Sequence, residues 1–429
     1  MKSVAFYTLG CKVNQFDTEA MKQAFAEKGY TIMQSDDKAD VYVINTCTVT
    51  SRSDAKSRQA IRRAIRQNPS AVVAVTGCYS QVAPDVVAHM PGVDVVAGTN
   101  QAATIVQLVE RAVGERQLQV ERGTDWLKAV SSGGRTRAML KIQEGCEQYC
   151  SYCIVPYARG GLRSRSADDV LREVQRLVDH GYKEIVLTGV HLGAYGRETA
   201  GPDLTQIIRL LGGIHDLKRL RLSSIEPIDI DESLFDALKQ LDSFCEHLHL
   251  PLQSGCSSTL LRMNRPYTAS QYAKIVESAR RVFSDIGIST DVIVGFPGET
   301  EAEFEESVRF VREMQFSRLH VFRFSPRKGT PAASFPDKVG VQQSKRRSSE
   351  LIHVGEQLAC EFHNRFIGRK LEVLVEEQSN AQVCGFSRNY IRVCFDGNEE
   401  LRNLICDVKI EAADVSGAYG SITSGTTRG

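Results

Sequence analysis

The sequence has no run of about 18 or more apolar residues, so nothing in it reads as a membrane-spanning segment. It also lacks a convincing secretory leader. The opening MKSVAFYTLGCKVNQ has one early lysine, but its apolar stretch is short and runs straight into polar residues. Net charge is missing too: 53 Lys and Arg stand against 52 Asp and Glu, so an anionic partner has to be met by local basic patches and not by a global field. No internal repeat or low-complexity tract occurs. These absences argue against membrane and secreted classes and leave a cytoplasmic protein as the expectation.

What remains is an ordinary globular composition of 42% hydrophobic and 24% charged residues in a chain of 429, long enough for two or three domains. Over residues 1–120, β-branched runs at Ser3–Leu9, Asp40–Thr46, Ala71–Thr76 and Asp94–Ala97 alternate with helical patterns near Asp17–Lys28, Asp54–Gln67, Pro84–His89 and Ala102–Val113. That alternation predicts an open parallel α/β sheet. A linker is expected over 121–136, where Ser-Ser-Gly-Gly breaks the rhythm. A second alternating region follows over 137–366, with strands predicted at Ala138–Gln143, Glu184–Thr188, Arg219–Ser223, His247–Leu250, Ser289–Val294 and Arg318–Phe324. Six βα repeats are too few for a closed eight-fold barrel and suit a partial (βα)6 one. Its last helix, Gln342–Phe366, carries the basic cluster Lys345-Arg346-Arg347. From 367 to 429 helical periodicity disappears and short alternating strands predict a small antiparallel β-barrel, with the tail Ser424–Gly429 disordered.

Twelve cysteines in a chain without a secretion signal point away from disulfides and towards metal or redox chemistry. Cys245, Cys256, Cys360, Cys384, Cys394 and Cys406 show no ligand-like spacing and read as small buried hydrophobes. The other six form two sets. Cys146, Cys150 and Cys153 lie in GCEQYCSYC after the apolar strand Met139–Ile142. Three closely spaced thiolates on one loop hold three corners of a 4Fe–4S cube and leave one iron open to a small molecule. A structural zinc site would close with a fourth ligand, and the nearest following Cys or His is His180, in a predicted helix. Cys11, Cys47 and Cys78 each follow a predicted strand of the first domain within two residues. Strand C-termini of a parallel sheet share one edge, so these thiols are predicted to converge on a second three-cysteine cluster. Glycine before Cys11 and Cys78 permits the close backbone approach a cluster needs.

The Cys-x3-Cys-x2-Cys loop, with Tyr152 before its third cysteine, resembles the radical S-adenosylmethionine (SAM) signature. TLGCKVNQFDTE (8–19), INTC (44–47), TGCYSQ (76–81), GCEQYCSYCIVPYARG (145–160), HLPLQSG (249–255) and DVIVGFPGET (291–300) together resemble the radical SAM methylthiotransferases, and the C-terminal barrel is similar to a TRAM domain. The resemblance covers nearly the whole chain. It implies two 4Fe–4S clusters and two SAM molecules per turnover, one as methyl donor to a sulfur at the Cys11/Cys47/Cys78 cluster and one cleaved to a 5′-deoxyadenosyl radical at the Cys146/Cys150/Cys153 cluster. Two branches of the family modify adenosine 37 of tRNA, bearing an isopentenyl or a threonylcarbamoyl group, and one modifies an aspartate of a ribosomal protein. Lys12-Val13 after the first cysteine and Arg159-Gly160-Gly161-Leu162-Arg163-Ser164-Arg165 resemble the threonylcarbamoyl branch, with the isopentenyl branch as the alternative and the protein-modifying branch as a further one.

By superfamily position, Tyr152, Gly189, Glu226, Gln253 and Val294 are the expected SAM neighbours, Glu226 accepting from ribose hydroxyls. Thr188-Gly189-Val190 departs from the Gly-Gly-Glu of many radical SAM enzymes, so the acidic partner of the methionine amine is absent there. Arg159, Arg163 and Arg165, the Lys345-Arg346-Arg347 cluster, and Arg365, Arg369 and Lys370 are expected phosphate contacts to the anticodon loop. Asn14, Gln15 and Asp17 are expected to line the base pocket, and a reductant protein and a sulfur donor are implied partners. A cluster-bearing RNA-binding or redox-sensing protein is the non-enzymatic rival; it has no need of a radical-type triad on a barrel strand.

Overall fold

Runs such as Val41–Thr46, apolar over Val41–Ile44, suit strands covered on both faces, and all six residues of that run are buried. The computed structural model describes residues 2–99, 101, 104–112, 116–121, 126, 136–379 and 382–428. The first strands are β1 (Ser3–Thr8), β2 (Thr31–Met33), β3 (Val41–Thr46), β4 (Val72–Gly77), β5 (Val95–Ala97) and β6 (Gln117–Gln119), in one six-stranded sheet of order β2-β1-β3-β4-β5-β6. Every pairing in it is parallel. The short strands β2 and β6 were not expected, because TIM and QLQ are three-residue edges without apolar alternation. Helix Lys12–Glu27 begins directly at Cys11, five residues earlier than its apolar pattern suggests, and helix Ser51–Gln67 starts at a Thr50 cap whose side chain accepts from Ser53 N. The fourth predicted helix is observed at Ile105–Arg111. Its expected ends at 102–103 and 113, and most of the expected linker, lie outside the described residues.

The chain divides into two compact units, one made of 1–132, 143–165 and 325–333, the other of 133–142, 166–324 and 334–429. β7 (Arg137–Lys141) opens the second unit, while the antiparallel pair β8 (Gln143–Glu144) and β9 (Arg163–Ser164) belongs to the first. The second unit continues with β10 (Glu184–Thr188), β11 (Arg219–Leu222), β12 (His247–His249), β13 (Gly287–Val294) and β14 (Arg318–Arg323). Two parallel three-stranded sheets, β11-β10-β7 and β12-β13-β14, are joined by the parallel bridges Leu220–Phe244 and Ser224–His249. The result is the expected partial barrel.

Last come β15 (Lys370–Ser379), β16 (Gln382–Ser387), β17 (Arg392–Asp396), β18 (Ile405–Asp414) and β19 (Gly417–Arg428), closed into a barrel of order β15-β16-β17-β19-β18. Its pairings are antiparallel except β17 with β19. Phe362, at the end of helix Val341–Asn364, and Phe366 just beyond it pack into the barrel core with Val373, Phe395 and Val408. Two expectations are corrected here. The tail to Arg428 is ordered strand, since Ile405 pairs with Arg428 and the ladder satisfies backbone groups that a loose tail would leave to water. Cys384 and Cys394 are not free hydrophobes: they face each other across β16 and β17 with Cα atoms 4.2 Å apart and are joined by a disulfide. Among the described residues no helix is long and apolar enough to cross a membrane.

The barrel and the partial barrel are tied by a buried ionic network. Glu184 accepts from Arg221 Nε at 2.8 Å and lies 2.9 Å from Arg219 Nε. The same two guanidiniums donate to the main-chain carbonyls of Phe386, Ser387 and Arg388. Burial works against ionisation of Glu184, but the arginines outweigh it and hold its carboxyl at about 2.

Candidate metal centres

Because β1, β3 and β4 are adjacent and parallel, their C-terminal ends meet at one edge of the sheet, with Thr8 in register with Asn45 and Thr46 with Gly77. Cys11, Cys47 and Cys78 stand just beyond these ends, at the same edge of the sheet. Cys47 and Cys78 are buried and Cys11 is exposed. Glycine is needed at two of the turns. Gly10 has φ +109°, and a Cβ there would come within 2.9 Å of Cys47 Cβ and 3.1 Å of Cys47 Sγ. Gly77 has φ +96°, and a Cβ would meet Asn45 Oδ1 and the Thr46 carbonyl at 2.5 Å. Burial pushes the Cys78 thiol up to about 11, with the nearby Arg159 guanidinium opposing, and burial likewise raises Cys47. Soft, thiol-only donors crowded against a glycine turn fit an iron–sulfur cluster.

The second set of cysteines lies on the loop closed at its base by β8 and β9. Cys146 N donates to the Gly160 carbonyl at 3.0 Å and Cys153 N to the Cys150 carbonyl at 2.9 Å. At Gly145, φ +77°, a Cβ would lie 1.8 Å from the Gly161 carbonyl oxygen, so the two ends of the loop touch backbone to backbone. This loop belongs to the same compact unit as Cys11, Cys47 and Cys78. Helix Val155–Arg159, which follows it, packs on helix Cys78–Val82, and Thr99 Oγ1 donates to the Ala158 carbonyl at 3.2 Å. Tyr152 is half-buried, and the exposed rings of Tyr149 and Tyr157 meet edge to face at 6.0 Å.

Several residues expected at an RNA surface are instead structural. Arg159 is 4% exposed; it donates to Cys78 Sγ, Asp17, Glu144 and Asn14, and therefore has no guanidinium to offer a phosphate. Arg165 is 2% exposed. Arg347 is fully buried between Glu299 and Glu301, and Arg346 pairs with Glu301 and Glu350. Asn14 and Asp17 do not line a base pocket. Asn14 Nδ2 ties the Leu9 and Thr46 carbonyls together at 2.7 and 2.9 Å, and the cavity beside Asp17 is about 10 Å³, room for no more than a water. Gln15, Arg365, Arg369 and Lys370 are exposed, although Arg369 is paired with Asp285. Arg163 is half-buried, its guanidinium 5.0 Å from the Trp126 ring.

In the second unit, Gly189 follows β10, Glu226 follows β11, Gln253 follows β12 and Val294 ends β13. All four therefore stand at or just beyond C-terminal ends of partial-barrel strands, where barrel folds place chemistry. Glu226 is gripped by Arg265, which also meets the Tyr267 hydroxyl. Gln253 adopts φ +67°, donates its N–H to the Asp291 carbonyl at 2.8 Å and accepts from Ile293 N at 2.9 Å. Arg265 was missed from sequence because nothing in its spacing marks it as the partner of a residue 39 positions away. Also missed was a group formed by His249, Asp291 and His320, although His249 and Asp291 open two of the motifs quoted above.

Comparison with known proteins places these features in context. Residues 3–98 match the family described as "Uncharacterized protein family UPF0004", and residues 140–311 match the radical SAM superfamily. The chain is 43% identical to the threonylcarbamoyladenosine tRNA methylthiotransferase MtaB of Bacillus subtilis, across 96% of this chain and 94% of that protein. It is 33% identical to the tRNA-2-methylthio-N(6)-dimethylallyladenosine synthase of a Sulfurihydrogenibium species, across 97% of this chain and 98% of that one. Among solved structures it resembles the radical SAM methyltransferase TsrM of Kitasatospora setae, with a TM-score of 0.57 at 14% identity over 77% of this chain and 74% of that one, a likeness of fold.

Proposed function

The chain belongs to the radical SAM methylthiotransferases that act on a modified adenosine of tRNA, and from that premise we propose that its substrate is N6-threonylcarbamoyladenosine at position 37, converted to the 2-methylthio derivative. The observation that carries the reading is the meeting of Cys11, Cys47 and Cys78 at three adjacent strand ends, in the same compact unit as the Cys146–Cys153 loop. Two thiol triads of this kind support two 4Fe–4S clusters, each with one iron left without a protein ligand. The branch is supported by 43% identity to a relative named for threonylcarbamoyladenosine against 33% for one named for dimethylallyladenosine, and by Lys12-Val13.

Clusters and SAM, when bound, supply a 5′-deoxyadenosyl radical and a methylated sulfur, two SAM molecules being used per turnover. An adenine C2–H is not acidic enough for any side-chain base, which is why radical chemistry is required. The protein's own residues hold and orient. Cys146, Cys150 and Cys153 hold the radical-generating cluster, and Gly145 lets the loop close on Gly161. Cys11, Cys47 and Cys78 hold the cluster that carries the sulfur. Tyr152, Gly189, Glu226, Gln253 and Val294 are the proposed SAM neighbours, with Glu226 paired with and oriented by Arg265.

We assign residues 1–120 to the sulfur-carrying domain, 137–366 to the radical core and 367–429 to an RNA-binding barrel. Arg163, Arg369 and Lys370 are the proposed phosphate contacts to the anticodon loop, the setting is the cytoplasm, and a reductant protein and a sulfur donor complete the system. Mass spectrometry of tRNA nucleosides from cells with and without the gene tests the substrate. Loss of 2-methylthio-N6-threonylcarbamoyladenosine is expected; loss of the isopentenyl counterpart would move the enzyme to the other branch.

A further inference from the structure

Alternation along a strand puts His247 and His249 on one face of β12 and Ser289 and Asp291 on one face of β13. His320 on β14 is in direct register with Asp291. Three neighbouring parallel strands thus carry a polar stripe, while Leu248, Ile288 and Val292 on the alternate positions are fully buried. Within the stripe His249 Nε2 lies 3.2 Å from Asp291 Oδ2, and His320 Nδ1 lies 3.0 Å from Asp291 Oδ1. One donor atom from each of His249, Asp291 and His320 falls within 4.8 Å of the others.

We infer that His249, Asp291 and His320 form a binding site for a divalent transition-metal ion of the zinc type, separate from both cysteine triads. Two imidazoles and a carboxylate select zinc, iron(II) or manganese over the oxygen-preferring magnesium and calcium. Ligands held about 2.0–2.2 Å from a tetrahedral ion sit roughly 3.3–3.6 Å apart; each histidine nitrogen already lies close to that from one Asp291 oxygen, and one donor atom from each of the three residues falls within 4.8 Å of the others.

The surroundings are those of a built site. His249 Nδ1 meets Ser289 Oγ at 2.9 Å, the outer hydrogen bond that fixes the ring of a metal-ligating histidine. Ser289 is itself held by His247 Nε2 at 2.9 Å, and the His247 ring lies over Tyr390 with centroids 4.6 Å apart. Side-chain exposures of 13%, 27% and 39% for His249, Asp291 and His320 let an ion enter without unfolding. Three protein donors leave a coordination position for water or a substrate oxygen.

The site shares no residue with the cysteine triads, so its test does not depend on the proposed reaction. Cluster-loaded protein is dialysed against Zn2+ alone, zinc per chain is measured, and the zinc X-ray absorption edge is read. The expected result is about one zinc per chain with a shell of nitrogen and oxygen only. His320→Ala and Asp291→Asn should abolish that uptake, and Ser289→Ala should weaken it by about 10–100-fold. Unchanged iron content and circular dichroism establish that the variants are folded, and His320→Gln replaces the alanine variant if that one is not. No uptake, a shell containing sulfur, or uptake indifferent to the His320 and Asp291 substitutions overturns the proposal and leaves a hydrogen-bonded His–Asp–His cluster.

Discussion

Arg159 points its Nε at the sulfur of Cys78, 3.4 Å away, while its remaining nitrogens are held by Asp17, Glu144 and Asn14. One side chain just beyond the Cys146–Cys153 loop thus reaches the sulfur of a cysteine in the other set, and it does so within a single compact unit. The Arg159 side chain is 2% exposed, and those of Asp17 and Glu144 are 8% and 1% exposed, so none of the three can fall back on water.

Removing that cation should therefore be severe. Arg159→Met leaves two buried carboxylates facing each other without a partner, a loss of roughly 3–5 kcal/mol by comparison with other buried pairs broken on one side. The urea midpoint of the cluster-loaded protein is expected to drop well below that of the wild type. Equal midpoints would mean that the network carries no stability.

Cys47→Ala separates the roles of the two triads. With one 4Fe–4S cluster on each triad, as proposed, iron should fall from about eight to about four per chain. Release of 5′-deoxyadenosine should persist, because the Cys146/Cys150/Cys153 loop is untouched, while methylthio transfer disappears. If cofactor cleavage and transfer vanish together, the division of labour is wrong.

Strand-end thiols were legible in the sequence because parallel topology fixes which ends share an edge: a β-branched run followed at once by cysteine, three times over, leaves little freedom. The partial barrel was legible for the same reason, its six apolar runs being separated by amphipathic helices. Arg159 and Arg165 were misread as phosphate contacts. A basic run looks alike whether solvated or buried, and the acids that hold Arg159 lie 15 and 142 positions away. The same blindness to distant partners hid the Arg265–Glu226 pair and the meeting of His249 with His320. Cys384 and Cys394 were set aside because their spacing resembles no metal motif; only the register of β16 against β17 puts them face to face.

Gly145→Ala should disable the radical-cluster loop without removing a ligand. The glycine sits at φ +77°, and a methyl group would overlap the Gly161 carbonyl at 1.8 Å, a main-chain atom that cannot swing aside. The loop must open at its base, which moves Cys146 through its bond to Gly160. Iron retention at this cluster and 5′-deoxyadenosine release are both expected to fall, whereas Gly340→Ala, with nothing within 4 Å of the added methyl, should leave both unchanged.

Acid sensitivity offers a test of the buried network under the C-terminal barrel. Glu184 is fully buried, and although burial alone would raise its carboxyl, Arg221 and Arg219 bring it down from 4.5 to about 2. A group whose folded value lies below its unfolded one contributes stability that is complete above the unfolded value and fades as pH falls towards the folded one. The contribution, a few kcal/mol by order of magnitude, should thus be intact at neutral pH and be lost between about pH 4.5 and 2. Glu184→Gln cannot titrate, so its stability is lower at neutral pH but lacks this part of the acid slope. Urea midpoints of wild type and variant, measured side by side from pH 7 downwards, should converge as the solution is acidified; parallel curves would show that Glu184 is not ionised in the folded protein.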